Sequence, residues 1–152
     1  MKEFSVNTIN ETIDIAFKLA ELMKNGGIIL LDGDLGAGKT VFTTGIAKAI
    51  NINEYIKSPT FTIVNEYYGD KKLNHFDVYR LENEDDLDDI GFWEYIVEDA
   101  FVVIEWSKKI ASVLPKDTVE VTITKDLTKG LDYRVISVKF NGKYKELEEK
   151  LK

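Results

Sequence analysis

Eight consecutive residues, Gly33-Asp34-Leu35-Gly36-Ala37-Gly38-Lys39-Thr40, restrict what this chain can fold into more than any other segment. They satisfy G-x-x-x-x-G-K-[ST] without a mismatch, a pattern that requires a buried strand before it and an amphipathic helix after it. Ile28 to Leu31 is a short apolar run after Gly26-Gly27 and reads as a strand buried on both faces. Phe42, Ile46 and Ile50, with Val41, Gly45 and Ala49, recur four apart and give the following segment one apolar helical face. Glycines permit the positive φ values and close backbone approach of a phosphate wrap. The wrap turns N–H groups inward, and the helix adds its positive dipole end. The segment is therefore expected to bind a nucleoside triphosphate with Mg²⁺. Gly33, Leu35, Gly36, Ala37 and Gly38 would line the phosphates, Lys39 would contact the β- and γ-phosphates, and the Thr40 hydroxyl would ligate the metal.

The flanking sequence extends this strand–loop–helix unit into an α/β domain. Thr8 and Glu11 have capping-box spacing, and Ile9, Ile13, Ala16, Phe17, Ala20 and Met23 follow at helical intervals. Phe61 to Tyr68 and Leu73 to Arg80 are β-rich and separated by Gly69-Asp70, as in a hairpin. Glu82 to Tyr95 reads as one helix with a very acidic start. Phe101 to Trp106 is a second buried strand, Ser107 to Leu114 a short helix, and Val119 to Thr124 with Tyr133 to Phe140 a second hairpin. Lys143 to Lys152 reads as a charged helix or a frayed end. βα units mixed with hairpins predict a sheet that is part parallel and part antiparallel. With no repeat, linker or low-complexity tract, residues 1–152 are expected to form a single domain.

Composition removes several function classes. The chain has no cysteine, which excludes a disulfide scaffold, a thiolate metal site and a cysteine nucleophile. No apolar stretch approaches the roughly 18 residues of a membrane span, and Met1 to Asn10 lacks a signal pattern, so a cytoplasmic protein is expected. The formal net charge of −7 argues against independent tRNA or DNA binding and is compatible with a basic protein partner.

The loop alone does not name the base. Thr124-Lys125-Asp126-Leu127 lacks the final aspartate of the GTPase N/T-K-x-D signature, and Thr128-Lys129-Gly130-Leu131-Asp132 supplies it one residue late. Asp88-Asp89-Ile90-Gly91 matches D-x-x-G but lies in an acidic helical stretch rather than at a strand end. ATP is favoured. A Mg²⁺-bound nucleotide needs a further carboxylate near the loop. Glu105 ends Phe101-Val102-Val103-Ile104 and suits a metal or metal-water role. Asp77 lies in His75-Phe76-Asp77-Val78-Tyr79-Arg80, where alternation puts His75, Asp77 and Tyr79 on one face. It can ligate the metal, position the attacking water or pair with a lysine. His75, the only histidine, reads as structural.

Four blocks in order resemble the TsaE (YjeE) family, the small bacterial ATPases of tRNA threonylcarbamoyladenosine synthesis. They are Gly33 to Thr40, Lys57-Ser58-Pro59-Thr60-Phe61-Thr62, His75-Phe76-Asp77-Val78-Tyr79-Arg80-Leu81, and Val103-Ile104-Glu105-Trp106. The resemblance implies a three-layer α/β P-loop fold with a mixed sheet. It implies an ATPase, slow alone, that works with TsaD and TsaB and meets tRNA only through them. TsaD transfers the threonylcarbamoyl group to the adenosine beside the anticodon. By the family's motifs, Thr40 and Glu105 fall on metal-binding positions, Asp77 on a position needed for hydrolysis, and Ser58 to Thr62 on a switch-like segment near the γ-phosphate. Thr12 matches a position close to the adenine. Two other readings share the loop: a P-loop kinase acting on a small molecule or protein, and a nucleotide-gated binding module. A kinase usually needs an arginine-bearing lid, and the chain has only Arg80 and Arg134.

Overall fold

The computed structural model describes residues 1–152. Helix α1 (Ile9–Leu22) begins where Thr8 accepts a hydrogen bond from the Glu11 amide at 3.1 Å. The Glu11 carboxylate reaches back one residue further than a standard box, to the Asn7 amide at 2.6 Å. The first strand, β1 (Lys2–Val6), precedes α1 and was not expected from the sequence. Next come β2 (Gly27–Gly33), the phosphate-loop segment and α2 (Lys39–Ala49). The hairpin β3 (Val64–Tyr68) and β4 (Lys72–Asp77) follows. Its first strand starts three residues later than expected, because Phe61 to Ile63 form a turn in which Ile63 takes φ 70°.

The expected single acidic helix is two short ones, α3 (Asp86–Asp89) and α4 (Phe92–Tyr95), divided by Gly91 at φ 68°. Strand β5 (Ala100–Glu105) leads into a 3₁₀ segment, Ser107–Val113. Strands β6 (Thr118–Lys125) and β7 (Arg134–Phe140) form the second expected hairpin. The tail is a 3₁₀ segment, Gly142–Lys150. It is anchored rather than frayed: Leu151 is buried, and the Tyr144 hydroxyl donates to the Gly26 carbonyl at 3.3 Å.

All seven strands join one sheet in the order β1-β7-β6-β2-β5-β4-β3. Its centre, β6-β2-β5-β4, is parallel, and the pairs β6/β7, β1/β7 and β3/β4 are antiparallel. Alternation divides the apolar residues between two cores. Ile29, Leu31, Phe101 and Val103 face α1 and α2. Ile28, Leu30, Val102 and Ile104 pack with Leu87, Phe92 and Ile110 of the short helices. The result is three layers, an α/β fold with a mixed sheet. Helices α1 and α2 approach closely at Gly45, where a Cβ would lie 2.4 Å from the Ile13 carbonyl oxygen. No helix is long and apolar enough to cross a membrane.

Candidate active site

Strand β2 lies between β5 and β6, which follow it on opposite sides, so the carboxyl ends of the parallel strands open at a topological switch point. The segment after β2 turns there through Gly36 at φ 77° and Gly38 at φ 112°, conformations that an L side chain strains to adopt. Gly38 is the N-cap of α2, so the helix N-terminus opens into the same space. Asp77 and Glu105 end β4 and β5 and are direct register partners. Both lie on the α2 side of the sheet, because Leu73, Phe101 and Val103 of the same alternating sets belong to that core.

A cleft of about 530 Å³ brings these pieces together. Leu35, Gly36, Gly38, Lys39 and Thr40 line one side, and Ser58, Thr60, Asp77, Tyr79, Glu105 and Trp106 line the other. Gly33 and Ala37 support the loop without lining this cleft. The Gly33 carbonyl accepts from the Lys39 ammonium at 2.7 Å, and Ala37 is buried in the loop. Thr12 is buried in α1 and is not among the cleft's lining residues.

Lys39 has three partners at the cleft. Besides Gly33, it lies 3.7 Å from Glu105 Oε1 and 5.0 Å from the centroid of the Trp106 ring. Trp106 itself takes φ 62° and packs on Tyr79 with ring centroids 4.8 Å apart. Asp77 is fixed through both oxygens: Oδ2 accepts from the Thr60 hydroxyl at 3.1 Å, and Oδ1 from the Tyr79 amide at 2.9 Å. Each oxygen keeps a second lone pair.

Glu105 is only 3% exposed, and its Oε2 lies 2.6 Å from His75 Nε2, itself fully buried. A carboxylate accepts, so Nε2 carries the proton and donates. His75 Nδ1 then has no partner, and neither has Asn74 Oδ1. His75 is therefore more than a core residue, since it is the hydrogen-bond donor that orients Glu105. Alternation placed it on the face of Asp77, but its contact with Glu105 depends on β4 pairing with β5, which no local pattern encodes.

The two arginines are both engaged with backbone. Arg80 donates to the Phe61 carbonyl at 2.6 Å, and Arg134 to the Ala37 carbonyl at 2.6 Å. Beside the phosphate loop, a smaller cleft is lined by Asp32, Asp34 and Lys108. Burial pushes the Asp32 carboxyl above its ordinary range, with Glu120 adding to the rise and Lys108 and Lys39 opposing it.

No three acidic or imidazole side chains converge as a metal cage. Mg²⁺ beside a polyphosphate takes most of its oxygens from phosphate and water, and one or two protein oxygens suffice. Thr40 and Glu105 offer that number and type of donor in one cleft.

The family model for the threonylcarbamoyl adenosine biosynthesis protein TsaE matches residues 6–134. The chain belongs to the TsaE family. Among TsaE proteins, the tRNA threonylcarbamoyladenosine biosynthesis protein of Bacillus subtilis is 39% identical over 155 residues, covering 99% of this chain and 95% of that protein. That of Treponema pallidum is 42% identical over 105 residues, covering 69% and 78%. The crystal structure of Bacillus subtilis YdiB superposes with a TM-score of 0.79 at 33% identity, covering 99% of this chain and 93% of that one. The TsaE resemblance carried by the four sequence blocks is thus met by the family match, and its three-layer mixed sheet by the fold.

Proposed function

We propose that this chain binds ATP with Mg²⁺ in the cleft between the phosphate loop and the ends of β4 and β5, and hydrolyses it slowly. In this reading it supports the TsaD- and TsaB-dependent threonylcarbamoylation of tRNA. One observation carries the proposal: Lys39 and Thr40, Asp77, and Glu105, from three separate places in the chain, line a single cleft. The loop amides and the N-terminus of α2 receive the phosphates. Lys39 leaves Gly33 and Glu105 for the β- and γ-phosphate oxygens. Thr40 and Glu105 would hold the metal, which would supply charge neutralisation to the phosphate oxygens. Asp77, oriented by Thr60 and Tyr79, accepts a hydrogen bond from water and aligns it with the γ-phosphorus. Because Thr60 touches Asp77 directly, the Ser58–Thr62 segment senses the state of the catalytic carboxylate.

The family's name supports the tRNA modification role. The net charge of −7 supports the division of labour, with tRNA contact left to the partners. The test is reconstitution of tRNA modification with TsaD and TsaB over many turnovers. The expected result is that turnover depends on this protein and on ATP, and that Asp77→Asn still binds ATP but no longer supports turnover. Equal turnover without the protein contradicts the proposal.

A further inference from the structure

Two cations brace the phosphate loop from behind. Lys125 ends β6, Arg134 begins β7, and the two are register partners. Lys125 Nζ donates to the Leu35 carbonyl at 3.1 Å. Arg134 Nη2 donates to the Gly36 carbonyl at 3.3 Å, and Nε to the Ala37 carbonyl at 2.6 Å. Three consecutive carbonyls of the loop thus point toward the β6–β7 hairpin. Arg134 is locked in turn, since Nη1 donates to the carbonyls of Leu131 at 2.8 Å and Tyr133 at 2.7 Å.

A trans peptide points each carbonyl opposite to the next residue's N–H. Carbonyls drawn toward the hairpin therefore turn the N–H groups of Gly36, Ala37 and Gly38 away from it. The Ala37 amide donates within the loop, to the Asp34 carbonyl at 3.0 Å, whereas those of Gly36 and Gly38 have no acceptor in the protein. Free donors beside Lys39 at the head of α2 are what a phosphate takes up. A Cβ on Gly38 would lie 4.0 Å from Arg134 Nε, so the guanidinium sits against the back of the loop and adds positive charge there.

We propose that Arg134, assisted by Lys125, is a positioning residue that sets the peptide planes of the phosphate loop before a nucleotide arrives. This rests on the reading of the cleft as a nucleotide site. Arginine suits the role because one planar fork reaches two loop carbonyls while its remaining nitrogen grips the hairpin. A lysine ammonium keeps the charge but cannot span all four carbonyls.

The experiment pairs calorimetric titration of ATP–Mg²⁺ with amide exchange in the nucleotide-free protein, for wild type, Arg134→Ala, Arg134→Lys and Lys125→Ala. Arg134→Ala is expected to weaken ATP binding at least about tenfold, the value of one or more hydrogen bonds to a charged group. The turnover rate at saturating ATP should stay within about threefold, because Arg134 does not touch the reacting atoms. Arg134→Lys should recover only part of the affinity, and added methylguanidinium should restore part of it to Arg134→Ala. The Ala37 amide should exchange about tenfold faster in Arg134→Ala as the loop loosens.

Wild-type affinity in Arg134→Ala overturns the proposal. So does complete recovery by Arg134→Lys, which assigns the effect to charge alone. Should Arg134→Ala fail to fold, Arg134→Lys carries the test in both readouts. If wild type takes up no ATP while exchange at Ala37 still responds to Arg134, the nucleotide reading falls and the brace stands. Unchanged exchange removes the brace.

Discussion

Replacing His75 with leucine isolates what the buried carboxylate of Glu105 requires. Leucine has a similar volume, so little cavity forms and the change is chiefly the loss of a donor. Glu105 is 3% exposed, and water cannot replace the imidazole 2.6 Å away. Removing one partner of a buried pair costs about 3–5 kcal/mol. Lys39, 3.7 Å from the other oxygen, offsets part of this and brings the expected loss to about 3 kcal/mol. In a domain of this size that lowers the melting temperature by about 6–12 °C. Urea denaturation at neutral pH measures the loss, with an unchanged m-value marking a native-state effect. A second variant separates the electrostatic cause from simple damage to the core. His75→Leu combined with Glu105→Leu removes the buried carboxylate too and should recover most of the lost stability, because apolar replacements of buried pairs are tolerated. A loss below about 1 kcal/mol in the single variant, or a double variant as unstable as the sum of the singles, would refute the reasoning.

Gly45→Ala sets helix propensity against packing. Alanine favours the helix by about 1 kcal/mol. Its Cβ would nevertheless meet the Ile13 carbonyl oxygen at 2.4 Å and Ala16 Cβ at 2.6 Å. The expected result is a net loss of about 1–3 kcal/mol by chemical denaturation, and a stabilised variant contradicts the close approach of the helices. Asp32→Asn should raise the melting temperature at neutral pH. Burial raises the folded-state pKa of Asp32, so its favourable contribution is complete below the ordinary carboxylate value and is lost as pH rises through the raised one. Melting curves across pH should therefore show the variant's advantage at neutral pH and its disappearance in acid.

Much of the site is written in local pattern. Positive-φ glycines, the lysine and the threonine of the phosphate loop all follow from one contiguous motif, and its flanking strand and helix are where their apolar periods put them. Glu105 was legible because it ends an apolar strand, and Asp77 because alternation put it on one face with His75. Pairings between distant segments were not. β1 joins the sheet only through β7, at the far end of the chain, and Lys2 to Val6 alone is too short and too charged to announce a strand. His75 meets Glu105, and Arg134 meets the phosphate loop, through the same kind of long-range register. The acidic segment misled for a local reason. Its composition suits one helix, but Gly91 takes a left-handed conformation that divides it.

The most direct measurement is calorimetric titration of ATP, with and without Mg²⁺, into the wild-type protein and Lys39→Ala. Saturable binding of one ATP per chain that strengthens with Mg²⁺ and weakens at least about tenfold without the Lys39 ammonium is the expected result. Equal affinity in the two proteins, or none in the wild type, would contradict the assignment of this cleft to a nucleotide.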